Sequence, residues 1–314
     1  MTTREDTVAI LRLMQVSGLG PKTLHRLLVR AADVGMTPAD VVHLQPSVLQ
    51  KRFALKEGIC SEIPKENRDA EAVGAALEER GVAPLSVTDP QYPARLLTRL
   101  GEDAPAVLFA AGSMKLLNSP SVACAGARDA SERGLSLART ACRELANARV
   151  NVTSGYANGV DLAAHEGAVS AGGATTIVLA EGILGFRPKA PLADHLTEQN
   201  SLIVSQFWPA GRWTQYQAMQ RNRTIIGLSG AMLIVESGLD GGTFDAGTTA
   251  IRLGLPVFAI RFDNPPESAA GNQVLLDRGA VSLTPGSTGI DVSSLVTACR
   301  GGESGSATAE SLFG

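Results

Sequence analysis

The chain has 314 residues, of which 44% are hydrophobic and 19% are charged, and its formal net charge at pH 7 is −3. This length exceeds one ordinary domain, and the composition is typical of a soluble globular protein. No stretch approaches the ~20 apolar residues that a membrane-spanning helix needs, and charges interrupt the amino-terminal apolar positions, unlike in a secretory signal. We therefore expect a cytosolic protein with no membrane partner. Any site for a polyanion then requires a local cluster of arginine and lysine.

The four cysteines lie far apart without a CxxC pair, and the four histidines are equally scattered. Such spacing is unlike that of zinc ligands or of a disulfide framework. The sequence therefore predicts neither a metal site nor a cofactor, and we assign these residues to packing.

Residues 1–81 predict a small all-α domain, because apolar residues recur at steps of three and four without a β-rich interruption. Within it, VSGLGPKTLHRLL, from Val16 to Leu28, combines a glycine turn with Pro21 at the first position of a helix. This pattern resembles a helix-hairpin-helix, as found in SAM-like domains, and makes Lys22 a secondary DNA contact. A purely structural helical hairpin is the alternative.

Residues 82–283 predict an α/β domain with an extended Rossmann-like parallel sheet, because short apolar runs alternate with glycine-punctuated helical segments. The predicted strands are SVACAG, VNVTSG, ATTIVLAEG, SLIVSQ, GAMLIVES and LPVFAI. The predicted crossover helices are SERGLSLARTACRELANA, GVDLAAHEGAVSAG, TQYQAMQRNRTIIGLS and TFDAGTTAIRLG. Residues 284–314 are rich in glycine and serine with only short apolar pieces, which predicts a largely flexible tail.

Two of the predicted strands run into glycine and serine turns that open helices. The first strand ends at Gly126, with Arg128 in the loop and Ser131 as a helix cap. The second strand ends at Ser154 and Gly155. Because the carboxyl ends of parallel strands meet at one edge of a sheet, these turns predict a single anion-binding crevice. Taken alone, this stretch favours the interpretation of Arg128 as an exposed loop arginine.

One carboxylate and one imidazole follow the second turn on a predicted helix. Asp161 and His165 stand four residues apart on one face of that helix, within reach of a hydrogen bond to each other. A lone histidine on a helix is more often structural than catalytic. We interpret His165 as structural.

Basic residues also follow the later strands. Arg187 and Lys189 lie on an irregular loop after the third strand, where side chains can reach over the sheet edge, although solvated loop charges are common. Arg221 and Arg223 lie on different faces of one helix, so we expect one to face the crevice and the other to brace it. The glycine loop after the fifth strand, at 241–243, adds a third helix-opening turn to the same edge.

Together these stretches resemble the DNA-processing protein A family, also called DprA or Smf. The matching motifs, in the order of the family, are GAR at 126–128, SGYANGVDLAAH at 154–165, RPK at 187–189, RNRTIIGLS at 221–229 and ESGLDGGT at 236–243. With QYPARL at 91–96 and GNQVLLDRGA at 271–280, the resemblance covers about residues 82–283.

The resemblance implies a protein that binds single-stranded DNA in a basic pocket, forms a homodimer and helps to load a RecA-type recombinase during transformation or recombination. The family is not known as an enzyme, and the resemblance implies no cofactor. The nucleic-acid and phosphate-binding residues that it implies are Gly126, Arg128, Ser131, Ser154, Gly155, Lys189, Arg221, Arg223, Gly242 and Thr243.

Some loops depart from the family pattern. RP replaces YP at 187–188, GGTFDA replaces SGSLIT at 241–246, and RFDN replaces the usual PG at 261–264. The aromatic content of 4% also predicts few platforms for base stacking. The candidates, most of which we assign to the core, are Tyr156, Phe186, Trp208, Trp213 and Tyr216.

Two rival functions remain open from the sequence. Glu236 and the GGT loop at 241–243 are similar to the site of LOG-class phosphoribohydrolases, which cleave nucleoside monophosphates, but the motif PGGxGTxxE is only partly met. A sensor that binds a free nucleotide at the same sheet edge is the other alternative. The number of independent basic and glycine motifs favours DNA binding.

Overall fold

A computed structural model describes residues 2–65, 67–286 and 289–301 of the chain. The amino-terminal part is helical, and its helices are α1 Arg4–Gln15, α2 Pro21–Ala32, α3 Pro38–Val42, α4 Pro46–Phe53, α5 Glu57–Glu62 and α6 Arg68–Glu79. Local signals set the helix ends. Thr3 caps α1 by accepting a hydrogen bond from the backbone N–H of Asp6. Pro21 occupies the first turn of α2, where its fixed φ suits the helix.

The strands of the remaining chain form one mostly parallel sheet. They are β1 Ala83–Ser86, β2 Val107–Gly112, β3 Ser121–Ala125, β4 Asn151–Ser154, β5 Thr175–Val178, β6 Ser201–Ser205, β7 Ala231–Ile234, β8 Val257–Ile260 and β9 Val281–Leu283. Within the described residues their order is β1-β2-β6-β5-β4-β3-β7-β8-β9. All pairs from β6 to β9 are parallel, whereas β1-β2 and β2-β6 are antiparallel. The chain order reverses at β3, between β4 and β7, and ligands of open α/β sheets bind at the carboxyl edge of such a reversal.

Helices cover this sheet. They are α7 Ala94–Leu100, α8 Glu132–Asn147, α9 Val160–Ser170, α10 Ala190–Ala193, α11 Gln215–Leu228, α12 Gly241–Arg252, α13 Ala270–Asp277 and α14 Ser293–Gly301. The six predicted strands are β3 to β8, and the four predicted crossover helices are α8, α9, α11 and α12. The predicted fold, a Rossmann-like α/β sheet with an amino-terminal all-α part, is confirmed.

The strands that the sequence did not reveal are β1, β2 and β9, which lie at or near the two edges of the sheet. β1 has only four residues and contains Pro84. β9 has three residues, and its Val281 and Ser282 are exposed. Edge strands need not be apolar on both faces, so they lack the continuous apolar run that marks a buried parallel strand.

Both faces of the sheet are buried. In β3, Val122 and Cys124 pack with α8, α9 and α14 on one face, whereas Ala123 packs with α11 and α12 on the other. The second of these cores continues into the amino-terminal helices. His25 of α2 strengthens this connection, because its Nδ1 donates a hydrogen bond to the carbonyl oxygen of Ala104 at 3.0 Å.

The predicted flexible tail is wrong for the described part of residues 284–314. Helix α14 lies within that range, and its Leu295 and Cys299 are fully buried. The close approach is visible at Gly230, where a Cβ would lie 2.4 Å from the carbonyl oxygen of Cys299. Glycine and serine dominate the composition here, but a short apolar stripe at helical spacing is enough to dock α14 on the sheet. Residues 302–314 of the predicted tail lie outside the described residues.

Three general features of the described segments bear on function. No helix within them is long and apolar enough to cross a membrane. No group of three or more His, Cys, Asp or Glu side chains in the same segments could hold a metal ion. The four cysteines are free thiols, and all of them are buried.

Candidate functional site

A cleft opens at the carboxyl edge of the sheet, where β3 lies between β4 and β7. It consists of two adjoining cavities of about 570 and 320 Å³. Arg128, Ala157, Trp213 and Arg221 line both cavities and therefore join them. Six of the predicted pocket residues line this cleft, namely Gly126, Arg128, Lys189, Arg221, Gly242 and Thr243.

Arg221 of α11 is a deeply buried cation of the cleft, with 7% of its surface exposed. Its Nη1 donates a hydrogen bond to the carbonyl oxygen of Val178 at 2.6 Å, and its Nε is buried without a hydrogen-bond partner among the described residues. Burial lowers the pKa of this guanidinium, while the nearby charges of Asp161 and Glu181 raise it. An arginine remains charged even so, and a buried, partly compensated positive charge favours an incoming anion.

Because Gly155 has no side chain, the Arg221 guanidinium can lie directly beside it. A Cβ on Gly155 would lie 2.1 Å from Nη1 of Arg221 and 2.4 Å from Oδ2 of Asp161. The Asp161 carboxylate accepts a hydrogen bond from the backbone N–H of Ala157 at 3.3 Å, which orders the loop before α9. Gly155 itself lines neither cavity. Its part in the site is steric, because any side chain would displace the guanidinium.

His165 supports the loop that contains Gly155. Its Nε2 donates a hydrogen bond to the carbonyl oxygen of Gly155 at 2.6 Å, and its Nδ1 lies 2.6 Å from the hydroxyl of Thr175. The ring is fully buried, and this burial lowers the pKa of the imidazole. The structural interpretation of His165 is confirmed, but its hydrogen bonds go to Gly155 and Thr175 and not to Asp161.

Arg128 and Trp213 meet at the junction of the two cavities. The guanidinium carbon of Arg128 lies 5.7 Å from the centroid of the Trp213 ring, within the range of a cation–π contact. Arg128 is exposed, and Trp213 exposes 48% of its surface. A charged group and an aromatic face are therefore accessible at the same point.

Lys189 lies in the smaller cavity against Tyr156. Its Nζ donates hydrogen bonds to the carbonyl oxygen of Tyr156 and to Oδ1 of Asn158, both at 2.9 Å. The same Nζ lies 4.6 Å from the centroid of the Tyr156 ring. Partial burial lowers the pKa of this ammonium, although Asp161 and Glu181 oppose the effect. Tyr156 therefore holds Lys189 in place and has one ring face covered by it.

Helix α12 begins at the cleft. Gly242 and Thr243 line the larger cavity, and the preceding Gly241 has a φ of +86°, which favours glycine. The N-cap residue, Asp240, makes no side-chain capping hydrogen bond. The Thr243 hydroxyl donates a hydrogen bond to the carbonyl oxygen of Gly126 at 3.0 Å and ties this turn to that of β3. The positive end of a twelve-residue helix thus faces the cleft.

Ser131 and Ser154 lie outside both cavities. The Ser131 hydroxyl donates to Oε1 of Glu236 at 2.5 Å, and its oxygen accepts a hydrogen bond from the backbone N–H of Gly134 at 3.0 Å to cap α8. The Ser154 hydroxyl is buried and donates to the carbonyl oxygen of Cys124 at 2.6 Å. Both hydroxyls are engaged by groups of the protein and position the turns, and the phosphate contacts at these two serines stay a prediction.

Arg223 and Lys22 also lie away from the cleft, and they meet at Asp103. Lys22 forms an ion pair with Oδ1 of Asp103, and Nη1 of Arg223 lies 3.7 Å from Oδ2 of the same carboxylate. The two-residue spacing turns Arg223 about 200° around α11 from Arg221. Arg223 therefore faces the amino-terminal helices, whereas Arg221 faces the cleft.

The charges that line the cleft nearly cancel. Its cations are Arg128, Lys189 and Arg221, and its carboxylates are Asp129, Asp161, Glu181 and Asp240. The cleft is therefore not a uniformly basic surface. Any anion bound there must lie close to individual donors, because no broad positive field attracts it.

The sequence reasoning missed Asn222, which lines the larger cavity between the two arginines of the RNR segment. Its Nδ2 donates a hydrogen bond to the carbonyl oxygen of Gly242 at 3.3 Å, so it joins α11 to the start of α12. The RNR motif could have pointed to Asn222. Successive residues of a helix face different directions, so Asn222 faces neither the side of Arg221 nor that of Arg223.

Comparison with known proteins decides the family. Residues 84–292 match the family model described as DNA recombination-mediator protein A. The chain belongs to this family. The matched segment contains every strand from β2 to β9 and the whole cleft. The DprA/Smf resemblance inferred from the motifs is thereby confirmed.

Individual members of the DprA/Smf family show the same relationship. The chain is 31% identical to Protein Smf of Escherichia coli strain K12 over 281 residues, which is 89% of this chain and 73% of that protein. Its fold is similar to the X-ray structure of DNA processing protein A from Streptococcus pneumoniae, with a TM-score of 0.74 and 25% identity, over 90% of this chain and 95% of that one.

A second similar structure is DNA processing protein A from Helicobacter pylori, which is described with a single-stranded DNA binding mode. It is 25% identical to this chain with a TM-score of 0.55, over 64% of this chain and 90% of that one.

Proposed function

We propose that this DprA/Smf member binds single-stranded DNA in the cleft and acts there as a mediator of recombination. The observation that carries the proposal is Arg221, a nearly buried guanidinium that lines both cavities beside the start of α12. Its Nε has no hydrogen-bond partner in the described part of the chain. Backbone phosphates then lie against the cleft cations and the first amides of α12. The proposed contacts are Gly126, Arg128, Lys189, Arg221, Gly242 and Thr243.

A single strand fits this site better than a duplex. The cleft is recessed at a sheet edge, and the nearly buried Arg221 lines both of its cavities. A flexible strand can bend its phosphates into such a recess, whereas a duplex holds them on a stiff cylinder. The relative from Helicobacter pylori, with its single-stranded DNA binding mode, supports the same ligand.

The direct test is fluorescence anisotropy of a labelled oligonucleotide of about 15 thymidines, titrated with the protein at several salt concentrations, beside a duplex of equal length. With three cleft cations, we expect log Kd to rise with log salt at a slope of about 2, which is ~0.7 for each of the three phosphate contacts. Equal affinity for duplex and single strand, or no binding at the lowest salt concentration, would contradict the proposal.

The partners in this proposal are a RecA-type recombinase, which the protein loads onto the bound strand, and a second copy of the same chain in a cytoplasmic homodimer. Membership of the recombination-mediator family supports the recombinase as a partner, and the homodimer is what the family resemblance implies. Light scattering behind a sizing column tests the dimer. Recombinase filament growth on strands coated with a single-strand-binding protein tests loading, with the Arg128→Glu variant, whose DNA affinity should be weakened, as the control.

The rival hydrolase hypothesis rests on Glu236 together with the GGT loop at 241–243. Glu236 is fully buried and lines neither cavity. It accepts hydrogen bonds from Ser131 and, at 2.7 Å, from the hydroxyl of Ser268. Incubation with AMP or CMP, followed by chromatography for the free base, tests this rival. Base release without oligonucleotide binding would replace our proposal, as would tight binding of a mononucleotide that displaces the oligonucleotide.

A further inference from the structure

Exposed apolar side chains concentrate around the cleft. The large hydrophobic residues that are exposed in the described part of the chain are Val34, Val48, Trp213, Tyr216, Leu239 and Val281. Trp213 lines the cleft, Tyr216 follows the lining residue Gln215, and Leu239 stands between the lining residues Gly238 and Asp240. Exposing such side chains in water is unfavourable, so their concentration at one site indicates a ligand with apolar surface.

Trp213 is the best placed of these residues. It belongs to the loop between β6 and α11 and lines both cavities, so it faces any ligand that occupies the cleft. The other tryptophan, Trp208, comes from the same loop but is only partly exposed and packs against the main hydrophobic core. The indole of Trp213 is held beside the Arg128 guanidinium. One ligand can therefore meet an aromatic face and a phosphate donor together.

The charge balance of the cleft shows that phosphate contacts alone are a weak source of affinity. Three cations face four carboxylates among the lining residues, so much of the electrostatic attraction for a polyanion is offset locally. Stacking of a base on an aromatic side chain adds affinity that does not depend on net charge. A strand bound in this cleft thus needs contacts to its bases as well as to its phosphates.

We propose that Trp213 is a base-stacking residue, which binds an unstacked nucleobase next to the phosphate held by Arg128. This inference rests on the proposed function and adds to it the part of the DNA that is recognised. A duplex keeps its bases stacked on each other, so this contact also selects single strands. Trp213 lines the same cavities as the proposed phosphate-binding cations, and this favours DNA over an apolar protein partner as the ligand.

The test compares two labelled oligomers with the same number of phosphates, one of about 15 thymidines and one of about 15 abasic units. For Trp213→Ala we expect the Kd for the thymidine oligomer to rise about tenfold, as the loss of one stacked base predicts. The Kd for the abasic oligomer stays within about twofold of the original protein. Trp213→Phe retains most of the affinity, because a smaller aromatic face remains, and Val281→Ala is the control at an exposed apolar residue of β9.

Intrinsic fluorescence gives a second measurement, because the chain has only two tryptophans. Thymidine oligomers should quench the emission of the original protein and leave Trp213→Phe almost unquenched, whereas abasic oligomers should quench neither. An equal rise of Kd for both oligomers in Trp213→Ala would overturn base stacking, as would an unchanged Kd for both. If the original protein binds neither oligomer, the proposed function itself fails.

Discussion

The guanidinium of Arg221 donates a hydrogen bond to the carbonyl oxygen of Val178 at 2.6 Å. This contact holds α11 against the carboxyl end of β5. The positive charge of Arg221 is therefore buried at the sheet edge and not exposed to solvent. Arg128, after β3, and Lys189, in the loop after β5, complete the basic side of the cleft. The candidate site is therefore assembled from segments that are far apart in the chain.

Charge reversal at Arg128 should weaken binding of single-stranded DNA without changing stability. Arg128 is exposed, so its replacement leaves the core intact, and the loss of one charge-assisted hydrogen bond predicts a Kd at least about tenfold higher. The salt slope should also fall by about 0.7. Arg143→Glu, at an exposed arginine of α8 outside the cleft, is the control for net charge. Equal losses in the two variants would remove Arg128 from the site.

Gly155→Ala should lower both stability and DNA affinity. The new Cβ would lie 2.1 Å from Nη1 of Arg221, so the guanidinium must move or the loop must open. Overpacking of this kind typically costs about 1–3 kcal/mol of unfolding free energy. The matched control is Gly58→Ala in α5, where a Cβ would meet no heavy atom within 4 Å. This substitution should preserve or raise stability, because alanine favours a helix more than glycine does. Chemical denaturation of both variants measures the difference, and an unperturbed Gly155→Ala protein would refute the steric role.

Acid should destabilise the protein through His165. Burial lowers the pKa of this imidazole in the folded state, so the unfolded chain binds the proton more readily. The stabilisation is complete above the unfolded pKa of about 6.5 and is lost as the pH falls below it, by at most about 1.4 kcal/mol at pH 5.5. Asp161, Arg221 and Lys189 are the charged groups that also act on this ring.

The measurement for His165 is the free energy of unfolding at about pH 7.5 and pH 5.5. His165→Gln should be less stable than the original protein at pH 7.5 but should show a flatter dependence on pH. His195→Gln changes an exposed histidine and should retain the original pH dependence. An unchanged pH dependence in His165→Gln would show that other groups dominate this range.

Glu236→Ala should destabilise the fold. The buried carboxylate accepts hydrogen bonds from the backbone N–H and hydroxyl of Ser131 and from the hydroxyl of Ser268. Its removal leaves these partly buried donors without their acceptor, which predicts a loss of about 1–3 kcal/mol. Glu267→Ala, next to Ser268 but exposed, should have little effect. A thermal melt compares the two variants, and equal melting temperatures would mean that Glu236 does not hold the start of α8.

The sequence predicted the central part of the fold because its signals are local or periodic. Strands buried on both faces, such as β3 and β7, require largely apolar runs, and glycine or serine follows them in the next turn. Each predicted crossover helix is present for the same reason. Arg128 and Lys189 were found because basic residues in a loop that follows a strand can reach over the sheet edge.

The tertiary structure alone decided which polar residues line the cleft. Ser131 and Arg223 lie in the same motifs as true cleft residues, yet Glu236 engages the first and Asp103 lies beside the second. The docking of α14 is another such case, since composition favoured a flexible tail. Pattern and composition describe a residue's neighbours along the chain, whereas its partners across the fold depend on packing. From sequence alone one obtains the sheet and the edge at which the cleft forms, and only packing assigns each side chain to the cleft or to the interior.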